Sequence, residues 1–173
     1  VEIKESFFES NVNLPGGGRS NFKKTYTTST NYFNNLHLSS FTNVSGSITN
    51  FELLFPDGSK YVYGYQPGGS GNKFYLTEMK DAPGNTVTLQ YRDYDAGYGF
   101  IDLKYVIDAT GLTNRIYYNT SAAPNHAITN VVDAFGRSIS LKYDATGLLT
   151  NVTDVANLSS SFPPVPRPLL DLP

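Results

Sequence analysis

The side chains able to move a proton near neutral pH are two histidines, His37 and His126. His37 lies in Asn34-Asn35-Leu36-His37-Leu38, an alternating, strand-like segment. His126 follows Pro124-Asn125 in what reads as a hairpin loop. No Ser/His/Asp pattern, paired-carboxylate context or helix-borne metal motif accompanies either one. The sequence therefore gives no catalytic residue, no cofactor-binding residue and no metal ligand. Asp93-Tyr94-Asp95 with Gly97 offers two oxygens to a calcium ion, but the EF-hand spacing and its terminal Glu are missing. With no cysteine, thiol nucleophiles, disulfides and zinc thiolate sites are excluded together.

Other chemistry-bearing residues recur. Aspartates stand at turn-like positions 57, 81, 108, 133 and 144. Tyr61, Tyr63, Tyr65, Tyr75, Tyr91, Tyr105, Tyr117, Tyr118 and Tyr143 are candidates for a carbohydrate-stacking face, or for packing between strands. Asn43, Asn119, Asn151 and Asn157 each open an N-x-S/T sequon, so covalent glycans are possible partners of an exported chain.

The elements that hold these residues follow from composition and pattern. The chain has 173 residues and a net charge of −2, with 13 Lys+Arg against 15 Asp+Glu. Binding to nucleic acid needs a concentrated basic surface, which this balance does not support. No apolar run reaches the ~20 residues of a membrane-spanning helix. Asn, Ser and Thr number 16 each, and charged residues make up only 16%. Tyr, Phe and Thr favour strands, while Asn, Gly, Pro and Ser favour turns. The expected class is all-β.

A repeat of about 26 residues organises the middle of the chain. Asp81-Ala82-Pro83-Gly84, Asp108-Ala109-Thr110-Gly111 and Asp133-Ala134-Phe135-Gly136 each precede a Tyr seven residues beyond the Gly. Pro56-Asp57-Gly58 has Tyr65 at the same offset. Asp opens a turn by accepting backbone N–H bonds, and Gly closes it where φ is positive. The residues that follow alternate, as in Val87, Leu89 and Tyr91 against Thr86, Thr88 and Gln90. That is the period of a half-buried strand. Each unit reads as a β-hairpin, and tandem hairpins give an antiparallel sheet.

Tyr143-Asp144-Ala145-Thr146-Gly147, followed by Leu148 to Asp154, resembles one Rhs repeat, also called a YD repeat. The resemblance extends over roughly residues 51–156. In that family, long hairpin arrays wind into β shells on secreted or cell-surface proteins, often around a cargo. The resemblance implies an extracellular or cell-surface location.

Three segments are expected: an Asn/Ser/Thr-rich β cap or second layer at 1–50, the hairpin repeats at 51–158, and an extended Pro-rich tail at 159–173. The tail carries Phe162, Val165, Leu169, Leu170 and Leu172 among its prolines, which suit a groove rather than a helix. The functional expectation is a non-enzymatic structural protein. It would associate end to end with copies of itself, as a fibre or surface polymer, through this tail and open sheet edges. A fragment of a larger Rhs-type shell that encloses or presents a cargo is the alternative, and a carbohydrate-binding module the second.

Overall fold

The computed structural model describes residues 2–5, 9–14, 17–23, 28–31, 34–68, 73–95, 100–119 and 126–162. Every regular element among them is a strand, and every strand pairing described below is antiparallel. The chain divides into two compact units, Val1–Thr113 and Asn114–Pro173.

The first unit holds β1 (Glu2–Glu5), β2 (Glu9–Asn13), β3 (Arg19–Lys23), β4 (Thr28–Asn31), β5 (Leu36–Thr42), β6 (Ile48–Leu54), β7 (Lys60–Tyr65), β8 (Lys73–Lys80), β9 (Thr86–Asp95) and β10 (Phe100–Ile107). From β4 to β8 each strand pairs with the next. β8 then branches. Its first residues, Lys73–Tyr75, pair with β1, and its last, Glu78–Lys80, pair with β9. β1 pairs with β2 and β2 with β3. β3 comes back against β4, where side chains bridge the seam. Ser29 Oγ donates to the Lys23 carbonyl at 2.7 Å, and Asn31 Nδ2 to the Asn21 carbonyl at 3.3 Å. Asn34 Nδ2 adds a bond to Ser20 Oγ at 3.1 Å.

Eight strands thus roll up around one core, a number whose interior side chains can fill. The registers show how alternation builds it. Leu38 sits opposite Leu53, Phe51 opposite Tyr63, and Tyr63 opposite Leu76. Phe74 faces Ile3, and Ile3 faces Val12. All of these are buried, as are Phe22 and Leu36. Phe51 and Phe74 meet edge to face at 5.1 Å. The Asn-, Ser- and Thr-rich N-terminal strands therefore supply one wall of the core, since their polar residues alternate with Ile3, Val12 and Phe22.

The second unit contains most of β11 (Thr113–Tyr118), then β12 (Ile128–Val132), β13 (Ser138–Tyr143), β14 (Leu149–Thr153) and β15 (Ser159–Ser161). They form a meander in which each strand pairs with the next. The tandem-hairpin reading of the repeat is what the fold shows. Tail residues 163–173, with Val165, Leu169, Leu170 and Leu172, lie outside the described residues.

Candidate functional site

The repeated turns share one geometry. The residue at the first position gives its N–H to the carbonyl four residues on, and its carbonyl accepts the N–H three residues on. This holds for Asp81–Gly84, Asp108–Gly111, Asp133–Gly136 and Asp144–Gly147. It is a three-residue hairpin loop, a type I turn closed by a residue of positive φ. Gly136 shows the requirement plainly: its φ is +80°, and an added Cβ would meet nothing within 4 Å. Backbone conformation, not crowding, selects glycine there.

The aspartates are held by these turns. Asp108 Oδ1 accepts the N–H groups of Thr110 and Leu112 and the Thr110 hydroxyl, at 2.7–2.9 Å. Asp144 repeats this with Thr146 and Leu148. Bonds that favour the charged form lower the carboxyl pKa. The Thr110 and Thr146 hydroxyls lead at Asp108 and Asp144, and the Asn85 side chain leads at Asp81. At Asp133 desolvation pulls upward, and the Arg137 side chain and backbone bonds outweigh it.

Asp57 does not share this place. Phe55 takes the first position of the Phe55–Gly58 turn, so Asp57 stands third. It accepts instead from the residue two positions on, with the Ser59 hydroxyl and N–H lowering its pKa. Pro56-Asp57-Gly58 matches the other units in its Gly and Tyr but not in its Asp. Further loops with these backbone bonds use substitute residues, Leu14 at the head of Leu14–Gly17 among them. Asn43 replaces Asp in Asn43–Gly46, and Asn157, with φ +63°, replaces Gly in Asp154–Asn157. An eye trained on D-A-x-G passes over both Asn loops, although Asn serves either role.

The histidines also have structural places. His37 Nδ1 lies 3.0 Å from Thr30 Oγ1, its cross-strand partner. His126, with φ +61°, closes the longer Asn119–His126 loop in the position glycine holds elsewhere. Among the described residues, no three His, Asp or Glu side chains gather as a metal site would require. The side chains of Asp93, Tyr94 and Asp95 lie outside the described set.

The tyrosine at fixed offset has a specific task that spacing alone did not reveal. The Tyr91 hydroxyl donates to the Leu76 carbonyl at 2.6 Å, and that of Tyr143 to the Ile128 carbonyl at 2.9 Å. In both cases the acceptor is fifteen residues back, on the strand before the turn. The phenol clamps its own hairpin at the end away from the turn. Other tyrosines pack. Tyr65 stacks on Tyr91 at 5.2 Å, Tyr61 meets Phe55 edge to face at 4.7 Å, and Tyr63 is wholly buried. An open groove of about 300 Å³ runs past Tyr61, Met79, Lys80 and Asn85.

Of the sequon asparagines, Asn43 is exposed at the head of a turn, and Asn157 is exposed at the close of one. Asn119 opens the long loop. Asn151 lies within β14, where its Nδ2 reaches Ser161 Oγ at 3.3 Å and its Oδ1 accepts from Thr153.

The second unit has two unlike faces. Register puts Ile116, Val131 and Ile139 on one face, and alternation along β13 adds Leu141 with its partner Val152. The other face carries Arg115, Asn130, Ser138, Ser140, Lys142 and Asn151, with Tyr117 and Val132 among them. No described residue of this unit is buried, and Ile139 is 38% exposed. A family model described as RHS Repeat matches residues 124–157. That span runs from the end of the long loop through β12, β13 and β14 to Asn157. The Rhs resemblance is thus supported on strands that bear the apolar face, on the Tyr143 clamp and on three of the Asp-headed turns. No curated protein matches the chain.

Proposed function

We propose that this chain is a non-enzymatic structural protein: an Rhs-type β module at an extracellular or cell-surface location, which associates with copies of itself through its C-terminal part. The observation that carries this reading is the amphipathic β11–β15 sheet, whose apolar face has no buried residue among those described. Exposed apolar surface of this kind marks a place of association. β15 adds a free edge, since among the described residues it pairs with β14 alone. β4 offers no equivalent edge, because β3 lies against it. Association through the C-terminal sheet is therefore favoured over growth from both ends.

The absence of a catalytic role is supported by what the chemistry-bearing groups already do. The turn carboxylates are engaged by their own loops, and both histidines serve strand or loop geometry. A mass measurement by light scattering, with electron microscopy, tests the reading. Large assemblies are expected from the intact chain, and their loss from a chain ended after Phe162. A 19 kDa monomer from the intact chain, or full-size assemblies from the shortened one, would overturn it.

A further inference from the structure

We propose that residues 163–173 dock across the apolar face of the β11–β15 sheet, on Ile116, Val131, Ile139, Leu141 and Val152. The inference deepens the assembly reading and rests on it in one respect, that this segment is the joint. Three observations carry it. The first is where the chain leaves the sheet. Ser160 pairs with Val152 and so lies on the apolar face, and the alternation of β15 brings Phe162 to that same face. The Phe162 N–H is held by the Thr150 carbonyl at 2.8 Å, and its side chain is 48% exposed. The last described residue thus starts the path on the correct side.

The second is reach. Eleven residues follow Phe162, five of them proline. At the polyproline rise they span roughly 34 Å. Crossing from β15 to β11 takes four strand spacings, about 19 Å. The third is chemistry. The segment has Val165, Leu169, Leu170 and Leu172, with Arg167 and Asp171 as its charges. Its prolines cannot donate to a strand ladder, so it is poorly suited to extend the sheet at β15. A face that takes side chains, not backbone, is the surface it fits.

The test uses the full chain with a photo-reactive benzophenone amino acid in place of Leu169. After irradiation, cross-links are mapped by mass spectrometry. They are expected on β11–β14 at the named apolar residues. Ile139→Lys, at a site exposed enough to keep the sheet folded by circular dichroism, should lower their yield about tenfold. Cross-links elsewhere, none at all, or a yield unchanged by Ile139→Lys would overturn the docking. The mass of the product separates the two readings. A doubled mass supports both docking and assembly. A product of single-chain mass leaves the docking standing and overturns the assembly.

Discussion

The rolled strands β1–β8 and the meander β11–β15 use the same kind of turn and solve different problems. In the roll, inward residues from eight strands meet, and Ile3, Val12, Leu53 and Tyr63 are fully enclosed. In the meander no described residue is buried, while Phe135, Leu148 and Leu158 are more than half exposed. Hairpin chemistry is sufficient to set register in both. It does not supply a core. A core needs a second wall, which the roll makes by bringing β1–β3 round to face β5–β8. The meander has the pattern of a half-buried sheet without a described covering layer.

This difference sets the largest expected effect of substitution. Phe22→Ala removes a side chain that is 1% exposed and leaves a cavity, at a cost of about 3–5 kcal/mol. Leu141→Ala removes a side chain that is only half-buried and should cost about 1–2 kcal/mol. Urea unfolding monitored by hydrogen exchange in each unit checks the pair. Equal losses would mean that the meander has a core of its own, and the comparison would fail.

A second test uses one substitution in both places. The Tyr143 hydroxyl is bonded to the Ile128 carbonyl, so Tyr143→Phe should cost about 1 kcal/mol. The Tyr63 hydroxyl is buried in the roll, where burial pushes its pKa upward and no partner among the described residues accepts its proton. Tyr63→Phe removes an unsatisfied group at little change in shape and should be neutral or stabilising. Thermal unfolding of the two variants should move in opposite directions, or leave Tyr63→Phe in place. A loss at Tyr63 equal to that at Tyr143 would show that the roll depends on the buried hydroxyl.

The legible part of this fold is the part that repeats. D-A-x-G with a Tyr seven residues on specified turns, strand pattern and hairpin class, because those depend on residues close in sequence. The clamp from Tyr143 to Ile128 was half visible: the spacing was plain, but the acceptor is a backbone carbonyl, which has no sequence signature. The branch at β8 was not visible. It depends on Ile3 meeting Phe74, a contact between distant segments whose residues are ordinary strand formers. Asp57 misled for a related reason. A Gly and a Tyr in the right places aligned the segment, while the backbone put Phe55 where Asp stands in the other units.

The smallest expected effect lies in the turns and concerns acid. Asp133 and Asp144 have carboxyls lowered below the ordinary value, Asp144 by the Thr146 hydroxyl first and Asp133 by Arg137 against desolvation. A group lowered in the folded state adds stability that is fully present above its unfolded pKa, about 3.9 for Asp, and is lost as pH falls through its folded value. Stability should therefore decline below about pH 4. Both carboxyls are solvent-accessible, so each contribution is smaller than that of the Tyr143 bond. The roll, Asp57 and Asp81 included, has its core to fall back on, whereas the meander depends on its turns and ladder. Hydrogen exchange at pH 6 and pH 3, corrected for intrinsic rates, should show β12–β14 losing protection before β5–β6. Asp144→Asn keeps an acceptor without a titrating proton and should blunt the acid response of its hairpin. If β5–β6 opened first, the turns would not be what holds the meander together.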